Sequence, residues 1–115
     1  MIMYQYGLIF KIDPIRGAII QSDEITQNLI PDYLMSGNYR IFYEEELIPE
    51  LNNAIQGLPF DEDGGGELAF LKINYPLSTL YTNNGQIYEE NIKTTDLKEI
   101  VLSWIEFLKS HNLER

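Results

Sequence analysis

The chain has 115 residues, a formal net charge of −10 at pH 7 and no cysteine. A chain of this length is expected to form a single domain with one core, here residues 1–115. The absence of cysteine excludes disulfides, thiolate metal sites and cysteine nucleophiles. The acidity disfavours nucleic acid and anionic membranes as partners, because both are bound through Lys and Arg side chains.

The N-terminal sequence is not expected to act as a signal peptide. Met1–Tyr6 has neither the basic n-region nor the long apolar h-region of a signal peptide. No uncharged apolar run approaches the ~18 residues that a membrane span needs. We therefore expect a cytoplasmic protein.

The first predicted element is a β-hairpin. Tyr4–Ile12 is rich in β-branched and aromatic residues and partly alternates, which indicates a strand. Asp13–Gly17 has the composition of a turn, and Ala18–Ile20 can pair back as a short second strand.

A helix and a strand are predicted next. Ser22 or Asp23 can cap a helix that runs to Met35, although Pro31 would break or kink it. The aromatic and β-branched segment Tyr39–Tyr43 then predicts a strand.

The segment Glu44–Gly57 predicts a second helix. Its three leading acids favour the positive end of the helix dipole, and Gly57 suits the C′ position. Because Pro49 is tolerated only in the first turn, we expect the helix to begin near Leu47 or Ile48.

Short strands and turns are predicted for the third quarter of the chain. The glycine-rich segment Asp61–Glu67 is expected to be a loop, since three consecutive glycines are costly to order. Leu68–Tyr75 predicts a buried strand. Ser78–Thr82 and Gln86–Tyr88 flank Asn83–Gly85, a strong hairpin signal.

The clearest element is a C-terminal amphipathic helix, capped by Thr94, Thr95 or Asp96. Its apolar face comprises Leu97, Ile100, Val101, Trp104, Ile105 and Leu108. Together these elements predict an α+β fold, with a mainly antiparallel sheet and two to three helices on one face or end.

The negative charge is concentrated in one segment. Residues 41–67 contain eight acids and no Lys or Arg, so they carry −8 of the net −10. Aromatic rings interleave with these acids, a combination typical of protein interfaces that meet Lys and Arg. We therefore predict a basic protein partner. The predicted partner-binding residues are Tyr43, Glu44, Glu45, Glu46, Glu50, Phe60, Asp61, Glu62, Asp63 and Glu67.

The acidic segment Glu44–Glu67 occurs together with a closing sequence that runs from Asp96–Ile100 to Trp104–Lys109, in a small chain. In these features the protein resembles the immunity proteins of bacterial toxin systems, including those of contact-dependent growth inhibition. The resemblance implies an inhibitor that neutralises a basic toxin or nuclease by covering its active site. Because such proteins span many unrelated folds, it assigns no functional residue.

Two other functions stay open. Asp61–Glu67 resembles an oxygen-rich calcium loop, which a carboxylate-dependent metalloenzyme would use, but its twelfth position would be Lys72 where a Glu is required. A structural adaptor or homo-oligomer subunit would use a patch of neighbouring tyrosines with Leu102 and Phe107, which lie off the apolar stripe of the last helix. The single histidine, His111, is interpreted as a helix-end residue. We predict no catalytic residue, metal or cofactor, and hence a protein that is not an enzyme.

Overall fold

The structure, a computed structural model, describes residues 2–23, 29–35, 38–82 and 88–115. It is a mixed α+β fold with antiparallel sheets, which confirms the predicted class. The helices are α1 (Ile2–Gln5), α2 (Ile30–Met35), α3 (Arg40–Phe42), α4 (Ile48–Gln56) and α5 (Thr94–Ser110), and a π-helical stretch (Tyr43–Leu47) joins α3 to α4. The strands are β1 (Leu8–Asp13), β2 (Gly17–Ser22), β3 (Asp63–Gly66), β4 (Phe70–Lys72), β5 (Leu77–Tyr81) and β6 (Glu89–Lys93).

The strands form two sheets within the described residues. β1 pairs with β2, and the second sheet has the order β3-β4-β5-β6. The first predicted hairpin is confirmed as β1–β2, whereas the second is confirmed only in its first strand, β5, and in the antiparallel pairing of that strand with β6. The second strand of the latter lies later in the chain than predicted, and its turn falls outside the described residues. Across the described ranges, every helix is too short or too polar to traverse a lipid bilayer.

In the N-terminal third, the observed structure differs from the prediction at the start of the first strand and at the start of the first predicted helix. The predicted strand from Tyr4 begins only at Leu8, because residues 2–5 form a helical turn. Ser22 belongs to β2 and therefore does not cap a helix. The predicted helix is observed as α2, with Pro31 in its first turn, where a missing N–H costs nothing. The preceding residues 24–28 lie outside the described part.

The predicted strand over Tyr39–Tyr43 is wrong, because the chain is helical from Arg40 onwards. Tyr43, Leu47 and Leu51 recur at intervals of four and are all buried, so packing on the helical period overrides the strand propensity of the aromatic residues. The end of the helix predicted within Glu44–Gly57 is confirmed at Gly57. Gly57 is left-handed with φ 76°, and its N–H bonds to Ala54 O.

The predicted loop at Asp61–Glu67 is wrong over Asp63–Gly66, which form the edge strand β3. Glycine is needed here for packing, since a Cβ on Gly64 would lie 2.6 Å from Leu71 Cδ2. Tyr33 in α2 donates a hydrogen bond to Gly64 O at 2.5 Å and holds the strand against the core. The next strand, β4, is shorter than the predicted Leu68–Tyr75.

The C-terminal helix confirms the predicted apolar face, every member of which is buried. Trp104 packs edge-on against Phe10 of β1, with ring centroids 5.1 Å apart, which joins α5 to the first hairpin. The helix begins at Thr94 and its N-cap is Lys93, so the predicted caps Thr94, Thr95 and Asp96 are wrong and lie inside the first turn. Asp96 Oδ2 instead accepts a hydrogen bond from Tyr6 at 2.7 Å.

Candidate functional site

Residues of the π-helical stretch, α4 and the start of β3 enclose a cavity of about 330 Å³, which we call the acidic cleft. Leu47 and Ile73 contribute apolar lining. Among the described residues that line it there is no Lys or Arg. The carboxylates that line it belong to Glu45, Glu46, Glu50, Asp61 and Asp63.

Hydrogen bonds fix one side of the acidic cleft. The Glu50 carboxylate accepts the backbone N–H of Asp61, which ties the segment before β3 to α4. Asp61 Oδ1 accepts the N–H of Asp63 at 3.0 Å, and Asp63 Oδ1 accepts the N–H of Gly65 at 2.9 Å. These three carboxylates each use one oxygen to order the local backbone.

A second cavity of about 310 Å³ adjoins the acidic cleft, and we call it the apolar groove. Its lining residues are Asn38, Tyr39, Ile41, Phe42, Glu45 and Glu46. The last three of these also line the acidic cleft, so the two cavities form one surface. Tyr39 is 50% exposed and Ile41 55% exposed, and the surface therefore combines accessible apolar area with carboxylates.

Arg40 lies at the start of the acidic segment and is already paired. Its Nε is 3.3 Å from Glu44 and its guanidinium is 3.2 Å from Glu114. Its backbone N–H also donates to Glu114 O at 2.6 Å. The neighbouring Arg115 places its guanidinium 4.6 Å from the centre of the Tyr39 ring. Glu44 is therefore compensated, unlike its exposed neighbours in the π-helical stretch.

Two predicted aromatic contacts do not lie on this surface. Tyr43 is fully buried and donates a hydrogen bond to Leu34 O at 2.9 Å, and burial raises its pKa well above the ordinary value. Phe60 is only partly accessible and packs against the core. We therefore remove Tyr43 and Phe60 from the candidate surface, since both serve the fold.

The remaining predicted acids lie apart from the acidic cleft. Glu62 is exposed and, with Lys72, lines another cavity of about 570 Å³, which shares Asp63 with the acidic cleft. Glu67 is exposed after β3 and lines neither the acidic cleft nor the apolar groove. The structure thus brings five of the eight predicted acids into the acidic cleft and leaves Glu44, Glu62 and Glu67 outside it.

The structure also shows where the residues of the metal-binding and oligomer alternatives lie. Within the described ranges, no group of three or more His, Asp or Glu side chains is arranged to hold a metal ion. His111 ends α5, where its Nδ1 lies 2.9 Å from Phe107 O. Phe107 stacks on Trp104 with ring centroids 5.8 Å apart and packs against the core, whereas Leu102 is 39% exposed.

Sequence reasoning missed Ile41 and Phe42 as walls of the site, because a strand was predicted there. Tyr43, Leu47 and Leu51 are spaced four residues apart, and this helical spacing could have predicted that the helix starts before Leu47. The contact between Arg40 and Glu114 has no such signal, since it joins residues far apart in the sequence.

Comparison of the chain with protein-family models, curated proteins and solved structures finds no match. The functional interpretation therefore rests on the geometry of the acidic cleft and the apolar groove.

Proposed function

We propose that this protein is a cytoplasmic binding inhibitor, an immunity protein of bacterial type, that neutralises a basic toxin or nuclease domain by covering its active site. The observation that carries the proposal is the joining of the acidic cleft to the apolar groove through Phe42, Glu45 and Glu46. A surface that pairs uncompensated carboxylates with accessible rings suits a partner with Lys and Arg around a cleft.

The carboxylates would act at two stages of binding. At long range, like charges concentrated on one surface steer a basic partner and raise the association rate. In the complex, Glu45 and Glu46 would pair with the cationic groups that otherwise hold substrate phosphates. Tyr39, Ile41 and Phe42 would supply buried area, which the acids alone do not provide.

The test uses the product of the neighbouring gene upstream as the candidate partner. We expect it to co-purify with this protein and to lose its activity on mixing. Association and dissociation rates are then measured by stopped flow at low and high NaCl for the parent and for E45K/E46K. We expect this charge reversal to slow association about tenfold or more at low salt and to change dissociation less.

The control variant is E89K/E99K, which makes the same charge change at exposed positions in β6 and α5. We expect it to slow association less than E45K/E46K does. An unchanged association rate for E45K/E46K at low salt would remove the acidic surface from the mechanism. A neighbouring gene product that neither co-purifies nor loses activity would contradict the immunity assignment.

A further inference from the structure

The residues after α5 fold back onto the start of α3. The Leu113 N–H donates to Leu108 O at 2.8 Å, and the Leu113 side chain packs against the core. Glu114 then bonds to Arg40 through both its backbone and its carboxylate. This path brings Arg115 over the ring of Tyr39, which is a wall of the apolar groove.

We propose that Tyr39 is a binding site for an arginine side chain of the partner, and that Arg115 occupies this site in the free protein until the partner's arginine replaces it. The proposal rests on the proposed function, since it specifies which basic side chain the same surface receives. Charge complementarity supports this occupant, because Glu45 and Glu46 line the groove that Tyr39 bounds.

The chemistry of the groove favours arginine over lysine. A guanidinium is planar and weakly hydrated, so it stacks on an aromatic face more readily than an ammonium does. Its N–H fork can bond to a carboxylate while the plane lies over the ring. Ile41 and Phe42 can contact the apolar stem of the same side chain.

The contacts of Arg115 are weak enough to be exchanged. The side chain of Glu114, the residue before Arg115, is 61% exposed. Tyr39 is half exposed even with Arg115 in place. Cation–π contacts at such accessible sites are modest. Removing Arg115 should therefore tighten binding of a competing arginine about twofold to fivefold.

The test is an NMR titration of the full chain with the peptide acetyl-Ala-Leu-Arg-Leu-Ala-amide and with the same peptide carrying Lys in place of Arg. The titration is made at low salt with the parent, R115Q, R16Q and Y39L. R16Q is the matched control, because it removes the same charge at an exposed position in the β1–β2 turn.

We expect the arginine peptide to shift the resonances of Tyr39, Ile41 and Phe42, and to bind about twofold to fivefold more tightly to R115Q than to R16Q. Y39L should lose the preference for arginine over lysine while its spectrum shows an intact fold.

Equal affinities of R115Q and R16Q, or of the two peptides for the parent, would overturn the proposal. If in that case both peptides still bind and E45Q/E46Q weakens them equally, the proposed function is retained without the arginine site. Failure of both peptides to bind contradicts the arginine site and the acidic interface together.

Discussion

Tyr6 links the N-terminal residues to the last helix through its hydroxyl group. Its hydroxyl donates to Asp96 Oδ2 at 2.7 Å. Burial, together with the hydrogen bond to Asp96 and its charge, raises the pKa of Tyr6 from 10.0 to about 12. The folded state thus favours the protonated phenol. The stability that this preference contributes is fully present below about pH 10 and is lost as the pH rises towards 12.

Tyr6→Phe should lower the free energy of unfolding at pH 8 by about 1–2 kcal/mol, because Asp96 loses its donor. The variant should also lose less stability than the parent between pH 10 and 12. Urea unfolding at several pH values measures both effects. Tyr4→Phe is the matched control, since Tyr4 is 83% exposed. Indistinguishable behaviour of the two variants would contradict a stabilising role for the Tyr6 hydroxyl.

The glycines of β3 show why some residue-scale features escape a sequence-based prediction. Three consecutive glycines indicate a loop from the entropy of their backbone alone. In the structure the absent Cβ of Gly64 leaves room for Leu71, and Gly66 adopts φ 133° at the bulge where β3 meets β4. Both reasons depend on a neighbouring strand, which the local sequence does not specify.

At the scale of elements, a buried hydroxyl pair fixes the junction of β5 and α5. Thr94 Oγ1 donates to Asn74 O and lies 2.8 Å from Ser78 Oγ. Ser78 Oγ also donates to Asn74 O at 3.1 Å. Ser78 and Thr94 are fully buried, so these hydroxyls have no access to solvent. The network sets the point at which the sheet ends and the helix begins.

Thr94→Val should lower the free energy of unfolding by about 1–3 kcal/mol, because it removes a buried hydroxyl while keeping the shape of the side chain. The control is Thr79→Val, whose hydroxyl donates to Asn91 Oδ1 at 2.9 Å on the exposed sheet face. We expect that change to stay within about 0.5 kcal/mol. Chemical denaturation measures both, and equal losses would mean that the buried pair adds no more to stability than the exposed hydrogen bond.

The elements differ in how far the sequence alone could predict them. In α5 the apolar spacing, the length and the position in the core all agree, and the prediction is confirmed. In Tyr39–Tyr43 they conflict, since the residue types favour a strand while the burial of Tyr43 follows a helical period. Tertiary packing decides between them, and it also places Ile41 and Phe42 in the apolar groove.

At the scale of the molecule, the sequence predicted the composition of the candidate site better than its shape. The concentration of acids in residues 41–67 can be read from the chain. Which of these acids are paired with a basic side chain could not be predicted from the sequence, because the pairing depends on contacts between distant segments. Arg40 compensates Glu44 with help from Glu114, whereas Glu45 and Glu46 form no ion pair with any described residue. These two acids therefore define the uncompensated part of the surface.

Glu45 and Glu46 should cost the free protein stability, because the acidic cleft gathers like charges. We expect E45Q/E46Q to raise the free energy of unfolding by about 0.5–1 kcal/mol at ~10 mM salt, where the Debye length is roughly 30 Å. At about 1 M salt the gain should largely disappear, because screening acts within ~3 Å.

The matched variant E89Q/E99Q removes two exposed acids outside the cleft, and it should gain less at low salt. Thermal unfolding of the parent and both variants at the two salt concentrations measures the difference. A gain for E45Q/E46Q that persists at high salt would assign it to local packing. A gain no larger than that of E89Q/E99Q would show that the cleft stores no excess repulsion, and a basic partner would then gain no such relief by binding there.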